Sequence, residues 1–579
     1  MVSSRLARRK VDPATLARHK RRLRAKAKSP EGGALMKPNP RLAVREVAAV
    51  PNLLEPEPRL AVNAGELCGA LDFAFAGGGC YDVLATALDE APLPKSDFAD
   101  AEYERELFVE ELVTRCLRVS LGGREAPLNH LFLTRLIARP PAEPAVTGHR
   151  RAILAELAAD DELRTRFGEL YESLCRLRRS FDNDRAASAY EATRKRIDTL
   201  AMVRDVVELC ATGFEGATSG LGSIRDFAAE VRASDGWARL VELLDYENDM
   251  AKVDVRMQVG ADGRVRSFTI VELQENEDNR FYASPLSRLL TRFTMFWRGY
   301  RLEGGEMVSR WLDLVFQGVS HYLPPLMQLL GHMEIYLAML AFRDDCTQKG
   351  LEVCFAELSE DGPRRMQGLF NPLLFDQGVI PIPCDLDLVD EGSLTVITGP
   401  NSGGKTRLLQ SLGLSQLLAQ SGFYVPAARA EMPLASGMFV SLIDEARADQ
   451  KEGRLGTELL RIRRLFETAR GGALVLLDEL CSGTNPSEGE EIFYLVLTLL
   501  GELGPEAFIT THFLEFARRL AEEDRPHGVR FLQVELDEDQ HPTYGFTRGV
   551  ATTSLAAQTA ARLGVTREEL LALVRRNRR

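Results

Sequence analysis

The chain has 579 residues, of which 45% are hydrophobic and 27% are charged; these ordinary globular values exclude a wholly disordered chain. It carries 72 Lys and Arg against 84 Asp and Glu, so the net charge of −12 excludes a protein coated in nucleic acid and requires any such contact to be local. Nine cysteines, none in a CxxC pair, predict neither a zinc ribbon nor a disulfide framework and favour a reducing, cytoplasmic compartment.

The first segment of the chain is strongly basic. Residues 1–28 contain eleven Lys and Arg and one acidic residue, Asp12, so they carry +10 while the other 551 residues carry −22. A solvated tail and a nucleic-acid contact are both open for this segment, and Met36 is an alternative first residue. Six prolines between Pro30 and Pro58 indicate an extended linker. Residues 1–59 are therefore predicted to form a basic arm followed by a linker.

The middle of the chain divides into two predicted regions. Residues 60–149 alternate short apolar runs with loops, and the sequence leaves open whether they form an α/β or a helical unit. In residues 150–365, apolar residues recur at three- and four-residue steps, which predicts long amphipathic helices. Alternating residues on both sides of Gly260–Gly263 predict a β-hairpin near 252–272, inserted between those helices.

The most apolar long run is Leu323–Phe342. It contains two prolines and the polar residues Gln328, His332 and Glu334. A buried helix of a protein core accommodates such groups more easily than a membrane span does. The run therefore predicts a core helix, and we expect no membrane partner.

From residue 366 to 579 the pattern changes to short β-branched runs that alternate with helices, which predicts an α/β domain with a mostly parallel sheet. Leu394–Thr398 is a predicted buried strand, and a GxxxxGKT sequence follows it, directly before a predicted helix at 405–420. The glycines of this motif let backbone amides approach phosphates, its lysine reaches the β- and γ-phosphates, and its threonine offers a hydroxyl to Mg²⁺. The predicted nucleotide-binding residues are Gly399, Pro400, Asn401, Ser402, Gly403, Gly404, Lys405 and Thr406, and Thr406 is also a predicted metal ligand.

Two further predicted strands end in polar residues. The apolar run Ala473–Leu477 is followed by Asp478 and Glu479, and the run Ala507–Thr511 is followed by His512. The carboxyl ends of parallel strands meet at one edge of a sheet, where ligands bind. We expect Asp478 to hold Mg²⁺, Glu479 to orient or activate the attacking water, and His512 to contact the γ-phosphate or that water. With the P-loop, these residues predict an ATPase whose cofactors are ATP and Mg²⁺.

Several sequences around these sites resemble the MutS family of DNA mismatch-repair ATPases. They are Phe370-Asn-Pro-Leu-Leu374, Thr398-Gly-Pro-Asn-Ser-Gly-Gly-Lys-Thr406, Gly422-Phe-Tyr-Val-Pro-Ala427, Leu477-Asp-Glu-Leu-Cys-Ser-Gly-Thr484, Thr510-Thr-His-Phe513, and Tyr544-Gly-Phe-Thr-Arg-Gly-Val-Ala551 with a predicted helix at Leu555–Gly564. The resemblance covers residues 370–579. It implies a mixed fold: a largely α-helical lever and clamp region with an inserted hairpin, then an α/β P-loop ATPase domain of the ABC/MutS type. It also implies that Asn401, Lys405 and Thr406 contact nucleotide and metal.

The same resemblance implies a homodimer in which a loop from each subunit completes the partner's ATP site. The corresponding loop is Asp449–Glu458, where Leu455 replaces the family's usual serine and Thr457 is the candidate substitute. Family mismatch sensors insert a Phe-x-Glu wedge into DNA. The nearest triplet, at Phe108, lies in Glu104–Leu117, which has the pattern of an amphipathic helix. We therefore expect neither a mismatch-reading domain nor an Smr nuclease tail.

Three functions are compatible with these sequence features. The first is a Mg²⁺-dependent ATPase of MutS type that binds duplex DNA as a dimeric, ATP-gated clamp in mismatch repair or a related repair or recombination process. The second is a nucleotide-gated scaffold on structured RNA or ribosomes. The third is an SMC- or ABC-like ATPase, which the lack of an LSGGQ-type sequence between the P-loop and Asp478 disfavours.

Few residues are candidates for contact with nucleic acid, and the same residues could bind either DNA or RNA. The arm at 1–28 contains no aromatic residue for stacking on unpaired bases, which favours duplex DNA over RNA. No feature of the sequence names a downstream protein partner. The candidate cations are the 1–28 arm, Arg256, Arg264 and Arg266 on the hairpin, and the Arg575–Arg579 tail.

Overall fold

A computed structural model of the chain describes residues 47–78, 83–98, 102–182, 189–248, 251–259, 265–275, 304–388, 393–442, 454–481, 485–522, 528–552 and 565–577. All of these residues belong to one compact unit, residues 46–579. Several sequence predictions lie outside the described residues: the basic arm at 1–28, Arg264 in the hairpin turn, the first part of the loop at 449–458, the helix at Leu555–Gly564 and the last two arginines.

Helices build most of the first half of the chain, as the three- and four-residue periodicity predicts. The described residues of 60–149, whose class the sequence left open, form helices, loops and two strands of two residues each. The elements are α1 Ala64–Phe75, α2 Val83–Glu90, α3 Glu102–Glu106, α4 Val109–Glu111, β1 Ser120–Leu121, β2 Arg124–Glu125, α5 His130–Ala138, α6 Pro144–Ala159, α7 Asp161–Phe181, α8 Ala189–Thr212, α9 Gly222–Arg232, α10 Asp235–Asn248, β3 Ala251–Val259, β4 Val265–Glu275, α11 Gly304–Val319 and α12 Leu323–Gln348.

The predicted hairpin is present between the helices. Strands β3 and β4 are antiparallel, and Val259 pairs with Val265 next to the turn. The pairing continues to Ala251 and Glu275, so the hairpin is slightly longer than the predicted 252–272. This agreement follows from the sequence, because alternating residues around a glycine-containing turn favour this local structure.

The apolar run at Leu323–Phe342 forms a core helix, as predicted. Helix α12 and the residues before it, Trp311–Gln348, are long and apolar enough to cross a membrane, but 94% of the most apolar stretch is buried inside the protein. One of its polar side chains, Gln328, binds the backbone of residues 59–61, which precede α1. Gln328 accepts a hydrogen bond from the Ala61 amide (2.6 Å) and donates one to the Arg59 carbonyl (3.0 Å). The buried amide of Gln328 thus has protein partners for both its oxygen and its nitrogen, whereas the buried His332 Nδ1 has none among the described residues.

One carboxylate of α12, that of Glu334, is buried among the helices. The residue is only 1% exposed, and its Oε2 accepts a hydrogen bond from the Asn129 amide at 2.6 Å. Burial raises the pKa of Glu334 to about 7, and the Asn129 amide and Arg178 oppose that rise. Between its ordinary pKa and about 7, the folded state therefore binds a proton that the unfolded state releases.

The substitution Glu334→Gln is expected to change how stability depends on pH. Because the pKa is raised in the folded state, this group lowers the free energy of unfolding as pH rises through that window, by about 3 kcal/mol in total. Thermal unfolding from about pH 5 to about pH 8 should show wild type losing stability relative to Glu334→Gln. The exposed Glu352→Gln should follow wild type. If the stability of wild type and of Glu334→Gln changed equally with pH, the raised pKa of Glu334 would be contradicted.

The second half of the chain is α/β. Its elements are β5 Glu357–Ser359, β6 Arg364–Leu369, β7 Cys384–Leu388, β8 Leu394–Thr398, α13 Lys405–Gln420, β9 Arg429–Pro433, β10 Met438–Ser441, α14 Arg454–Thr468, β11 Leu474–Leu477, α15 Pro486–Leu503, β12 Glu506–Thr510, α16 Leu514–Glu522, β13 Val529–Leu536, β14 Pro542–Arg548 and α17 Arg567–Asn577. The main sheet has six strands in the order β10-β11-β12-β8-β13-β14, all parallel except β14, which is antiparallel to β13. A second sheet has four strands in the order β5-β9-β6-β7; three of these strands precede β8 in the chain, and β9 follows α13.

The central strands of the main sheet, β8, β11 and β12, are buried on both faces. Val396 and Val475 face a cluster formed with α15 and α16, whereas Ile397 and Leu476 belong to the core that contains α13. That second core continues from Leu53 through the helices of the first half into the sheet. The near-continuous apolar runs that predicted the strands are thus a consequence of burial on both sides.

The segment Glu104–Leu117 is helical as predicted, but it is not one continuous helix: α3 ends at Glu106, and α4 continues directly into a π-helical turn at Leu112–Cys116. The helical stretch breaks at Phe108, whose φ of 57° is left-handed, between α3 and α4. Tertiary contacts override local propensity here: Leu107 is fully buried, and the Glu106 carboxylate accepts a hydrogen bond from the Leu442 amide at 2.6 Å. Phe108 packs against the hydrophobic core, so this triplet does not present a free aromatic wedge.

Candidate active site

The P-loop occupies the turn between β8 and α13, at the carboxyl edge of the main sheet. All five residues of β8 are buried. The turn requires glycine at two positions in particular. A Cβ on Gly399, which has φ 140°, or on Gly403 would come within 2.6 and 2.7 Å of the Val534 side chain on the neighbouring strand β13. No side chain caps the amino terminus of α13, where Gly404 stands, so its first-turn amides are available to an anion.

Lys405 lies inside this loop rather than in solvent. The residue is 3% exposed, and its Nζ donates hydrogen bonds to the carbonyl oxygens of Gly399 and Pro400, both at 2.9 Å. Burial lowers the pKa of Lys405, and the nearby carboxylates of Glu479 and Asp478 oppose that shift. The ammonium group is therefore held between the loop carbonyls and the strand-end carboxylates.

Asp478 connects the P-loop to the next strands. Its Oδ2 accepts a hydrogen bond from the Thr406 hydroxyl at 2.6 Å, and its Oδ1 accepts one from the Thr510 hydroxyl at 2.5 Å. Its backbone amide donates to the Ser441 carbonyl at 2.9 Å. The structure thus brings together the two residues, Thr406 and Asp478, that the sequence predicted as metal ligands.

Glu479 and His512 form the outer part of the site. The Nε2 atom of His512 lies 2.7 Å from Glu479 Oε1, and both side chains are about one-third exposed. Glu479 has a left-handed backbone with φ 51°, which is a strained conformation for a glutamate. The pair stands where solvent can reach the strand ends, so the carboxylate is accessible to a water molecule.

A cavity of about 610 Å³ opens beside the P-loop. Its lining includes Lys405 and Thr406 of the P-loop and the exposed apolar side chains of Val379, Ile380 and Ile382. From the sequence, Ile380 and Ile382 were the only candidates for apolar contact with a nucleotide base. The structure adds Tyr544, which the sequence did not indicate as a site residue.

Tyr544 reaches the cavity from β14, near the other end of the domain. It has φ 65° and is 42% exposed, and its ring lies 3.3 Å from the position that a Cβ on Gly404 would occupy. The sequence around Tyr544 contains no feature that predicts a contact with the P-loop, which lies about 140 residues earlier in the chain. The cavity therefore has an aromatic wall supplied by tertiary structure alone.

Asn371 is a second residue that the sequence did not place in the site. It is buried, and its Nδ2 donates to the Arg407 carbonyl and to Gln410 Oε1, both at 3.2 Å. Its Oδ1 accepts from the Leu373 amide at 3.0 Å. Asn371 thereby fixes the turn that carries Val379 and Ile380 against the first turns of α13.

Among the described residues, the candidate nucleic-acid contacts are not part of the cavity lining beside the P-loop. Strands β3 and β4 contain Arg256 and Arg266, and the helix α17 presents Arg575 and Arg576 to solvent. The described part of the loop at 449–458 begins at Arg454, in the first turn of α14. The structure therefore tests neither the contact of this loop with a second subunit nor the role of the arm at 1–28.

Comparison with known proteins places the site in a family. Residues 395–573 match the family described as MutS domain V. Relatives named Endonuclease MutS2 are similar to the chain in Thermomicrobium roseum (30% identity over 290 residues, 48% of this chain and 36% of that protein), Halothermothrix orenii (34% over 210 residues, 36% and 26%) and Carboxydothermus hydrogenoformans (33% over 240 residues, 41% and 30%).

The chain spans only 26% to 36% of the length of these three relatives. The family match nevertheless contains the P-loop from Gly399 to Thr406, the strand-end residues Asp478, Glu479 and His512, and Tyr544, whereas Asn371 and the apolar side chains at 379–382 precede it. Over residues 395–573 the chain therefore carries a MutS domain V, which is the ATPase domain of the MutS family.

Proposed function

We propose that this protein hydrolyses ATP to ADP and phosphate with Mg²⁺, and that hydrolysis controls a dimer on duplex DNA. One observation carries the catalytic part: the 2.6 Å hydrogen bond from Thr406 to Asp478, inside a MutS domain V. It joins the P-loop to the strand-end carboxylates, and this combination is what phosphoryl transfer to water requires.

The P-loop would bind the phosphates of ATP. The free amides in the first turn of α13 and the Lys405 ammonium are the positive groups of the site. In the structure, Lys405 donates hydrogen bonds to two loop carbonyls. When ATP binds, the β- and γ-phosphates would replace these carbonyls as acceptors, because charged acceptors form stronger hydrogen bonds. Catalysis by these groups is mostly positioning and neutralisation of charge.

Thr406 and Asp478 would hold Mg²⁺. The hydroxyl and carboxylate oxygens face each other at 2.6 Å, and oxygen atoms of this kind are the ligands that Mg²⁺ prefers, so the residues present fit the ion. When bound, Mg²⁺ would neutralise negative charge on the phosphates. The role of Asp478 in the chain itself is to keep one carboxylate oxygen directed at Thr406.

Glu479 is the proposed general base. Its carboxylate would orient the attacking water and accept a proton at one of its Oε atoms, as a positioned carboxylate does in such reactions. His512 contacts Glu479 Oε1 at 2.7 Å and so limits the directions in which that carboxylate can point. The main proposed role of His512 is therefore to hold the Glu479 carboxylate in place. Contact with the water or the γ-phosphate is its second proposed role.

The cavity beside the P-loop would receive the base of ATP. Tyr544 contributes an aromatic side chain to the cavity lining, and Ile380 and Ile382 contribute aliphatic ones. A planar base stacks favourably on an aromatic ring and covers apolar surface that is exposed without it. Tyr544 is therefore the proposed stacking residue.

The proposed cellular role is that of an ATP-gated homodimeric clamp on duplex DNA, in mismatch repair or a related repair or recombination process. The match to MutS domain V and the relatives named Endonuclease MutS2 support an action on nucleic acid. The +10 charge of residues 1–28 on an otherwise acidic chain supports a local contact with phosphates. All eight cysteines among the described residues are free, which supports a reducing, cytoplasmic compartment.

Duplex binding is expected to be electrostatic and insensitive to mismatches. A footprint of ~6 phosphates would lose ~10³-fold in affinity between roughly 50 and roughly 200 mM salt. Removal of residues 1–28 should flatten this salt dependence and leave basal ATPase activity intact, because the arm precedes the ATPase domain in the chain. Mismatched and perfect duplexes should bind alike, because Phe108 packs against the core.

The experiment is a salt titration of fluorescent perfect duplex, mismatched duplex and structured RNA, with the full chain and with the chain lacking residues 1–28. A strong preference for the mismatch would contradict the interpretation of residues 60–149. Tight binding to RNA without binding to duplex DNA at low salt would instead favour a nucleotide-gated scaffold on RNA.

A further inference from the structure

Thr510, the last residue of β12, lies directly beside both acidic residues of the site. It is completely buried, and its hydroxyl makes two hydrogen bonds. The hydroxyl donates its single proton to Asp478 Oδ1 at 2.5 Å and accepts a hydrogen bond from the Glu479 backbone amide at 2.8 Å. One side chain therefore contacts the two consecutive residues to which the proposed function gives different roles.

The sheet order explains why this contact is possible. Strand β12 lies between β11, which ends just before Asp478, and β8, which leads into the P-loop. Leu477 pairs with Ile509, and Thr510 pairs with Ile397, so Thr510 stands level with the end of β11. From this position its hydroxyl binds the Asp478 oxygen that does not bind Thr406.

The first consequence concerns the orientation of the Asp478 carboxylate. Its two oxygens have different partners: Thr510 binds Oδ1, and Thr406 binds Oδ2. A hydrogen bond to an ionised carboxylate is among the stronger ones in proteins. Without it, the carboxylate is free to turn about its last side-chain torsion, and Oδ2 is no longer fixed toward Thr406.

The second consequence concerns the backbone of Glu479. Its φ of 51° is strained for a residue with a side chain, and such a conformation persists only where the surroundings enforce it. The Thr510 hydroxyl accepts the amide proton of this residue. An amide left buried without an acceptor destabilises the fold, so the strained turn loses its support when the hydroxyl is removed.

We propose that Thr510 is a positioning residue that couples the metal-ligand carboxylate of Asp478 to the general-base carboxylate of Glu479 through one hydroxyl group. The inference rests on the proposed function, because it concerns the same site. Thr510 itself touches neither nucleotide nor metal in this scheme. It sets the direction of Oδ2 and the backbone from which the Glu479 side chain projects.

The test compares Thr510→Val, which keeps the shape but removes the hydroxyl, with Thr510→Ser, which keeps the hydroxyl. Thr510→Val should lower turnover, or the apparent affinity for Mg²⁺ in the turnover assay, by ~10–100-fold, as loss of a partner of a metal ligand typically does. Thr510→Ser should retain most of the wild-type values. The affinity for a fluorescent ATP analogue in EDTA should be unchanged, because the P-loop contacts are intact, whereas its enhancement by Mg²⁺ should fall in Thr510→Val.

Thr395→Val is the matched control. Thr395 is buried in β8 of the same sheet, and its hydroxyl has no hydrogen-bond partner. The same substitution there should leave turnover and Mg²⁺ dependence unchanged, which separates loss of a specific hydroxyl from a general change in the core. Thermal unfolding of the three variants checks that each is folded.

Two results would overturn the inference. One is wild-type turnover and Mg²⁺ dependence in Thr510→Val. The other is an equal defect in Thr510→Ser, which would show that the methyl group and packing matter rather than the hydroxyl. If the wild-type chain itself hydrolysed no ATP, the proposed function would fail, and the effect of Mg²⁺ on nucleotide affinity would still decide the role of Thr510.

Discussion

Glu479→Gln is expected to lower ATP turnover by ~10²–10⁴-fold, the contribution of a general base, while ATP binding survives. Gln has the same shape, and the backbone contact between the Glu479 amide and Thr510 does not depend on the carboxylate. Lys405 and Thr406 remain in place to bind phosphates, because neither depends on Glu479 for a hydrogen bond to the loop or to Asp478. Only the atom that accepts the proton from water is removed.

Two measurements check this expectation: steady-state phosphate release and equilibrium binding of a fluorescent ATP analogue. Glu515→Gln is the matched control, because Glu515 is exposed at the start of α16, three residues after His512. Its turnover should equal that of wild type. Unchanged turnover in Glu479→Gln would refute the assignment of the general base, whereas loss of nucleotide binding would show that this carboxylate supports the P-loop.

Lys405→Ala is expected to lose ATP binding itself, with a decrease in affinity of about 10²-fold or more. Hydrogen bonds to charged groups contribute about 1.5–3 kcal/mol each, and Lys405 is placed to make them to two phosphates. The side chain is buried in the loop, so no solvent-exposed cation can readily replace it. The loop carbonyls of Gly399 and Pro400 also lose their donor.

Binding of the fluorescent analogue to Lys405→Ala and to Lys195→Ala decides this prediction. Lys195 lies on α8 among the helices of the first half, where its ammonium donates to the Asp182 carbonyl, so its removal should not affect the nucleotide. Thermal unfolding with and without ATP provides a second measurement, because a ligand that binds the folded state raises its stability. Wild-type affinity in Lys405→Ala would show that the P-loop is not the nucleotide site.

The sequence by itself predicted the elements whose structure depends on local pattern. The strand at Leu394–Thr398 and the helix after the P-loop have the predicted bounds, and the strands before Asp478 and His512 differ by one residue from the prediction. Uninterrupted apolar runs favour buried parallel strands, and glycine at the turn permits the close backbone approach. Parallel strands also bring their carboxyl ends to one edge, so Asp478 and His512 could be assigned to the same site.

The sequence did not indicate the environment of residues that contact distant parts of the chain. Arg150 lies on the apolar side of α6, three and seven residues before Ile153 and Leu157, yet an arginine is ordinarily expected at the surface. The structure buries it completely, and its guanidinium donates to the carbonyls of Leu54 and Ser421. No local pattern contains these acceptors, because they lie about 100 residues before and 270 residues after it.

Tertiary structure alone decided which side chains complete the site. The ring of Tyr544 meets Gly404 only because β13 and β14 fold back onto β8. Thr510 contacts Asp478 and Glu479 only because β12 lies between β11 and β8 in the sheet. Sequence spacing records distance along the chain, whereas these contacts depend on the order of strands across the sheet. That order is set by the packing of the whole domain, which buries the central strands on both faces, and so no segment of the sequence specifies it alone.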